Sequence, residues 1–180
     1  MTELNVLQRD DVNDENREIF DTMRKNLGFV PNIYATMANS GKALGRFLAF
    51  ENGPGSLNNR EKEVVKLVTS QINGCRYCLS AHTALAKMNG FSDEQILEIR
   101  GGRASFDVKL DALAQFTYQA VTRKGNVDDE YASAFAEAGY TPGNLVDVLL
   151  TITSITTLNY LHNFSQVPVD FPAVPELETV

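Results

Sequence analysis

Apolar residues recur along this chain at intervals of three and four positions, the spacing that places side chains on one face of an α-helix. Turn and stop residues separate these segments, notably Gly28, Gly53-Pro54-Gly55, Gly90, Gly125 and Gly139. No segment shows the sustained apolar–polar alternation of a half-buried strand. The pattern predicts an all-α fold of seven or eight helices, in a single domain over residues 1–180.

Capping residues mark the start of two of these helices. Ser92 to Gln95 has the form of a capping box, and Thr141-Pro142 is an N-cap followed by a proline at the first helical position. The helix after Pro142 is expected to run to about Phe164 and to be a central buried element. Within it, residues 150–157 are rich in threonine and isoleucine, a composition that by propensity alone favours a strand.

The two ends of the chain differ from the helical body. Residues 1–13 are polar and are expected to be flexible. Residues 166–180 form a proline-rich arm, with prolines at 168, 172 and 175, which is neither helix nor interior strand. Such an arm is suited to lie against a neighbouring subunit.

Composition narrows the class of function. The net charge is −7, with 43% apolar and 22% charged residues, so nucleic acid and anionic membranes are not expected as partners. The sequence shows no membrane-spanning run and no secretory signal peptide, which favours the cytoplasm. Thiols are kept reduced there, so a cysteine pair is more often catalytic or metal-binding than structural.

Both cysteines lie in one short stretch, Cys75-Arg-Tyr-Cys78-Leu-Ser-Ala-His82. The turn residues Asn73-Gly74 come just before it, so a helix is expected to start near Cys75 and to carry Cys78 and His82 on one face. A thiol in the first turn of a helix is favoured as a thiolate by the free N–H groups and the helix dipole. We interpret the pair as a redox-active dithiol.

Glu63 is the residue best placed to orient His82. It lies roughly 13 Å before the turn at 1.5 Å per residue, and His82 lies roughly 10 Å beyond Cys75 on the return helix. In an antiparallel hairpin the two side chains reach similar heights, which predicts a relay from Glu63 through His82 to Cys78.

This arrangement predicts peroxide reduction. Cys78, nearer to His82, attacks the peroxide and becomes a sulfenic acid, and Cys75 then closes a disulfide. His82, with Glu63 behind it, supplies the proton for the leaving oxygen. No cofactor is expected.

Other interpretations of the same residues stay open. One alternative is that the dithiol belongs to a non-enzymatic redox sensor or adaptor that does not turn over peroxide. Cys75, Cys78 and His82 are also zinc ligands, with Glu63 or His162 as a fourth, although structural zinc sites more often use two separated ligand pairs. The cysteines can also be read as two small buried hydrophobes.

The motif Glu63, Cys75-x-x-Cys78-x-x-x-His82 resembles the AhpD-like, peroxidase-related branch of the carboxymuconolactone decarboxylase superfamily. The stretches Glu63–Gly74 and Gly28–Ala38 resemble the same proteins. The resemblance implies an all-helical homo-oligomer, trimer or hexamer, with disulfide-based hydroperoxidase activity. It also implies that the second cysteine meets the peroxide and that a dithiol or lipoyl-bearing protein is the reductant.

Two further residues are candidates for the pocket. AhpD has a histidine just before the second cysteine, and this chain has Tyr77 there, so its proton relay is one histidine short. His162 is the only other histidine of the chain. The decarboxylase branch lacks the cysteine pair, so lactone decarboxylation is not favoured.

Overall fold

The computed structural model describes residues 3–177, which form nine α-helices and one 3-10 turn at Arg9–Asp11. The all-α prediction is confirmed, and the count exceeds the predicted seven or eight helices because the chain also forms the six-residue α2. The helices are α1 Asp14–Leu27, α2 Asn32–Met37, α3 Ala43–Glu51, α4 Asn59–Ile72, α5 Arg76–Met88, α6 Asp93–Arg100, α7 Val108–Thr122, α8 Asp129–Glu137 and α9 Pro142–Ser165.

Helix α4 lies at the centre of the fold. It packs against α5, α6, α7 and α9, and Val64, Val65, Leu67 and Val68 are fully buried in its apolar stripe. One apolar cluster joins α4 to α6, α7 and α8, and a second joins α1, α2 and α3 to α9. Both cysteines belong to the second cluster, so the dithiol lies where the first three helices meet α5 and α9.

The predicted caps are present. Ser92 and Gln95 form a capping box at the start of α6, and Thr141 caps α9 with Pro142 in its first turn. A helix needs such caps because its first N–H groups have no partner within it.

The strand favoured by propensity over residues 150–157 does not form, because this segment is part of α9. The hydroxyls of Thr151, Thr153 and Thr157 donate to carbonyls four residues back, at 2.7, 2.8 and 3.1 Å. The threonines thus satisfy their polar groups within the helix. Burial of Ile155 and Leu158 against the core outweighs the weak preference of β-branched residues for strands.

Both end segments contact the helical body. In residues 3–13, Val12 is buried and Asn39 donates to the Asn5 carbonyl at 2.7 Å; the flexibility expected for residues 1–13 stays a prediction. The arm lies against its own chain, since Val167 is buried and Asn32 donates to the Pro168 carbonyl at 3.1 Å. A neighbouring subunit is therefore not needed to place the arm up to residue 177; residues 178–180 lie outside the described part.

Within residues 3–177, no helix has both the length and the apolar character needed to cross a membrane.

Candidate active site

The turn between α4 and α5 places the dithiol. Gly74 adopts a φ of +64°, a left-handed conformation that costs glycine little. The turn closes when the Cys75 N–H donates to the Ser70 carbonyl at 3.0 Å. Cys75 is the N-cap residue of α5, and its sulfur accepts a hydrogen bond from the Cys78 backbone N–H at 3.3 Å. Cys75 thus caps the N-terminus of α5, as a serine or aspartate side chain commonly does.

The structure brings Glu63 and His82 together across the α4–α5 hairpin. The Glu63 Oε2 lies 2.8 Å from the His82 Nδ1, and both residues are buried, at 6% and 7% exposure. A hydrogen bond at Nδ1 fixes the plane of the imidazole and leaves Nε2 as the nitrogen free to exchange a proton.

The second link of the predicted relay is not a direct hydrogen bond. Among the described residues, His82 makes no hydrogen bond to the Cys78 sulfur, although the two lie one helical turn apart on α5. A water molecule or a substrate oxygen is therefore needed between the imidazole and the sulfur.

The two thiols are unequal. Both are reduced and buried, Cys75 at 0% and Cys78 at 2% exposure. The side-chain hydrogen bond from Cys78 lowers the pKa of Cys75, assisted by the backbone N–H groups of Cys78 and Tyr77. The same contact, with burial and the charge on Cys75, raises the pKa of Cys78 well above its ordinary value. Of the two thiols, Cys75 is therefore the one that ionises more readily.

Asn159 is a member of this site that the sequence analysis missed. It is fully buried on α9, where its Oδ1 accepts from Asn73 at 2.9 Å and its Nδ2 donates to Ser70 Oγ at 3.1 Å. After the dominant Cys75–Cys78 contact, its side-chain hydrogen bonding lowers the pKa of both thiols. The sequence contained one indication of this role, because Asn159 is a polar residue on the apolar face of α9, three positions before His162.

Two other missed groups lie on the Cys78 side of the site. Lys66 pairs with Glu51, and its positive charge favours the thiolate of Cys78. Burial, followed by the charges of Glu51 and Cys78, raises the pKa of Tyr34 and keeps its hydroxyl protonated. Lys66 and Tyr34 therefore both interact electrostatically with Cys78, whose charge changes during thiol chemistry.

Tyr77 holds the C-terminal arm. Its hydroxyl donates to Asp170 Oδ1 at 2.6 Å and accepts from the Ile33 N–H at 3.3 Å. Burial, then the bond to Asp170, raises the pKa of Tyr77. Its ring also packs edge-on against Phe171 at 5.7 Å. This tyrosine fastens the arm beside the dithiol and is not available as a base.

His162 lies beside Tyr77, with ring centroids 5.6 Å apart. It is buried at 4% exposure, and its Nδ1 has no hydrogen-bond partner within residues 3–177. Burial, helped by the charge of Arg76, lowers the pKa of His162. A neutral His162 packs the wall of the site and does not join the Glu63–His82 pair.

The zinc interpretation finds no ligand set in the described part of the chain. No group of three or more His, Cys, Asp or Glu side chains there is arranged to hold a metal ion.

Removing the Cys78 thiol is expected to raise the pKa of Cys75 towards its ordinary value of 9.0. In Cys78→Ala the largest cause of the lowered pKa is lost, so the thiolate persists over a narrower range at high pH. Thiolate ultraviolet absorbance or iodoacetamide alkylation, followed against pH, measures the change. Cys78→Ser keeps a hydroxyl donor and is expected to shift the pKa less. Equal midpoints in Cys78→Ala and Cys78→Ser would contradict this account.

Comparison with known proteins finds one family model that matches the segment holding this site. Residues 38–116, which run from the end of α2 into α7, match the carboxymuconolactone decarboxylase family. The matched segment includes Glu63, both cysteines and His82. No curated protein sequence matches the chain.

Solved structures show that the fold of this chain is AhpD-like. The AhpD core structure of a peroxidase-related protein from Ralstonia eutropha JMP134 has a TM-score of 0.83 at 21% identity, covering 92% of this chain and 90% of that one. A peroxidase-related protein from Silicibacter sp. TM1040 has a TM-score of 0.79 at 19% identity, with 93% and 90% covered. The debrominase Bmp8 has a TM-score of 0.78 at 19% identity, with 94% and 93% covered.

Proposed function

We propose that this protein is a thiol-dependent peroxidase that cycles Cys75 and Cys78 between dithiol and disulfide. The observation that supports this most directly is the buried pair of free thiols at the start of α5, with the Glu63-bonded imidazole of His82 one turn away. A thiolate, an imidazole and a carboxylate that fixes the imidazole are the parts of an activated nucleophile.

In the first step the Cys78 proton passes through a bridging water to His82. The Cys78 thiolate then attacks the terminal oxygen of the hydroperoxide and breaks the O–O bond. The sulfur is oxidised to a sulfenic acid, and the peroxide is reduced to an alcohol, or to water from hydrogen peroxide. His82 donates the proton that the leaving oxygen needs, and Lys66 offsets negative charge near Cys78.

In the second step Cys75 gives up its proton and its thiolate attacks the sulfenic sulfur of Cys78. A disulfide forms, the S–O bond breaks, and the oxygen leaves as water with the proton that Cys75 gave up. A dithiol reductant then gives two electrons and two protons to restore both thiols. The family resemblance favours a lipoyl-type dithiol on a protein partner, and it favours a homo-oligomer.

Burial of the two sulfurs restricts the substrate. Cys75 and Cys78 are 0% and 2% exposed, so side chains over Cys78 must move before a peroxide reaches it. Hydrogen peroxide and small alkyl hydroperoxides need the smallest opening and are expected to react faster than bulky ones.

Stopped-flow oxidation of the reduced protein by hydrogen peroxide and by small alkyl hydroperoxides tests the proposal. The expected result is a second-order rate well above that of free cysteine, followed by turnover when a lipoyl dithiol is supplied. Fast oxidation without turnover on any dithiol would favour the redox sensor instead. A rate no better than free cysteine would contradict the peroxidase.

A further inference from the structure

The outward face of α9 carries an apolar stripe that nothing in the described chain covers. Val146 is 54% exposed, Tyr160 64% and Phe164 73%. Exposed apolar residues are ordinary one at a time, whereas a continuous row of them along a helix marks an interaction surface. The members of this α9 stripe are Val146, Leu150, Thr153, Thr157, Tyr160 and Phe164, all exposed.

The stripe is suited to burial. Asp147 is the only Asp, Glu, Lys or Arg of α9, and it accepts hydrogen bonds from Ser56 at 2.7 and 2.6 Å, away from the stripe. The hydroxyls of Thr153 and Thr157 already donate to carbonyls of their own helix. Covering the stripe therefore buries no charge and leaves neither threonine hydroxyl without a partner.

The order of the stripe residues is symmetric about Ile155. The intervals are four, three, four, three and four, which is the spacing of the contact positions in paired helices. Position 146 lies as far before Ile155 as position 164 lies after it, and the same holds for 150 with 160 and for 153 with 157. A surface that matches itself after a half-turn is what a two-fold interface between identical chains requires.

We propose that a second copy of this chain docks on the α9 stripe, with the two α9 helices antiparallel. The two-fold axis crosses the interface between Thr153 and Thr157, at the height of Ile155 along the helix. Three kinds of layer result. Val146 faces the partner's Phe164, Leu150 faces the partner's Tyr160, and Thr153 faces the partner's Thr157.

Antiparallel pairing fits the side-chain sizes better than parallel pairing. Each outer layer combines one aromatic ring with one smaller aliphatic side chain, and the central layers hold only threonines, so the helices stay at an even distance. Parallel pairing places Phe164 and Tyr160 against their own copies at one end and Val146 against its copy at the other, which splays the helices. Antiparallel helix dipoles also attract, by a small amount.

The area requires neighbours of α9 to join the contact. A helix of 24 residues is about 36 Å long, and a face about 12 Å wide covers roughly 400 Å², against about 800 Å² per partner in a stable dimer. An apolar groove of about 780 Å³ opens beside the stripe and supplies further area. Its lining includes Met37, Phe47, Phe50, Thr157 and Leu161, and also the exposed residue Arg46, whose charge must stay at the edge of the contact.

This contact also bears on the expected oligomer. A two-fold contact produces a dimer, or joins two trimers into a hexamer, and it does not by itself produce a trimer. The inner face of the same helix carries Asn159 and His162, which line the dithiol site. Docking on the outer face would therefore restrict movement of the helix that positions these two residues.

Light scattering on a charge-exchange pair of variants tests the proposal. The wild-type mass is expected at an even multiple of 19.9 kDa. Leu150→Glu and Tyr160→Lys, made singly, are each expected to halve it, since each buries charge without a partner. The double variant is expected to recover the wild-type mass, because each new carboxylate faces the partner's new ammonium. Within one chain these positions are ten residues, about 15 Å, apart and cannot pair.

Val108→Glu is the matched control, because it places the same charge at an apolar site 83% exposed but outside the stripe. It is expected to keep the wild-type mass, and circular dichroism checks that every variant is folded. A wild-type mass of 19.9 kDa, or single variants that keep the wild-type mass, would overturn the interface. A double variant no larger than the singles would overturn the antiparallel register.

Discussion

Replacing Cys78 with serine is expected to abolish the fast reaction with hydroperoxide. A serine hydroxyl is far less ionised than a thiol at neutral pH, and the oxygen of serine cannot form the sulfenic acid on which the cycle depends. Cys75 stays in place as the N-cap residue with its sulfur buried and fixed by the Cys78 backbone N–H. Stopped-flow oxidation of the variant is expected to fall to the rate of free cysteine or below.

The companion variant Cys75→Ser is expected to behave differently. Its Cys78 can still attack the peroxide, but no second thiol is present to close the disulfide. A sulfenic acid should therefore accumulate on Cys78 and be trapped by dimedone. Serine is a good N-cap residue, so the start of α5 is expected to be preserved.

This pair of variants decides which cysteine is the nucleophile, because the thiol pKa values favour one cysteine and the position of the imidazole favours the other. The side-chain hydrogen bond from Cys78 lowers the pKa of Cys75, whereas the imidazole lies one turn beyond Cys78 on α5. If the lower pKa alone chose the nucleophile, dimedone would label Cys75 in Cys78→Ser and leave Cys75→Ser unlabelled. Mass spectrometry of the two adducts distinguishes these outcomes and would reverse the assignment of roles.

Much of the fold followed from local patterns. Helical spacing and caps such as Ser92 and Thr141-Pro142 depend on nearby residues, and the structure has both caps. The length of the hairpin about Gly74 was likewise enough to predict that Glu63 and His82 face each other, and they lie 2.8 Å apart. Local propensity failed in residues 150–157, where burial of α9 decided the conformation.

What the sequence could not predict depends on contacts between distant segments. Asn159 reaches Ser70 and Asn73 across almost ninety positions, at 3.1 and 2.9 Å. The arm is placed by Asp170, which accepts from Tyr77 and from the Asn32 N–H at 2.8 Å. Neither contact can be predicted from the spacing of residues within one helix, because each contact joins segments that are far apart in the sequence. The unequal pKa values of the thiols also need the observed geometry, since C-x-x-C spacing alone does not say which sulfur donates.

Replacing His82 with glutamine is expected to slow peroxide reduction by about 10²–10⁴-fold, the usual contribution of a positioned acid or base. The thiols and their mutual hydrogen bond are retained, so reaction at high pH should suffer less than reaction at neutral pH. Stopped-flow rates across pH measure both effects. A slowing of the same size at every pH would point to a packing role for His82.

Glu63 acts through His82 and is therefore a positioning residue. Glu63→Gln keeps an oxygen that can accept from Nδ1 but replaces the carboxylate of this contact with a neutral amide, so an intermediate loss of rate is expected. The rate of the double variant Glu63→Gln/His82→Gln should equal that of His82→Gln, because a residue that works only through the imidazole has no effect once the imidazole is gone. Additive losses would show that Glu63 has a separate role.

A second buried glutamate of α4, Glu61, provides a matched control for Glu63→Gln, and the free energy of unfolding provides a second measurement. Glu61 is 4% exposed and accepts a hydrogen bond from Lys109 at 3.0 Å. Neither residue belongs to the dithiol site. Glu61→Gln also loses a buried carboxylate, and glutamine can keep the capping box. Each substitution is expected to lower the free energy of unfolding by about 1–3 kcal/mol, but only Glu63→Gln should slow the reaction with peroxide. Equal slowing in both variants would mean that general stability, and not the posture of the imidazole, controls the rate.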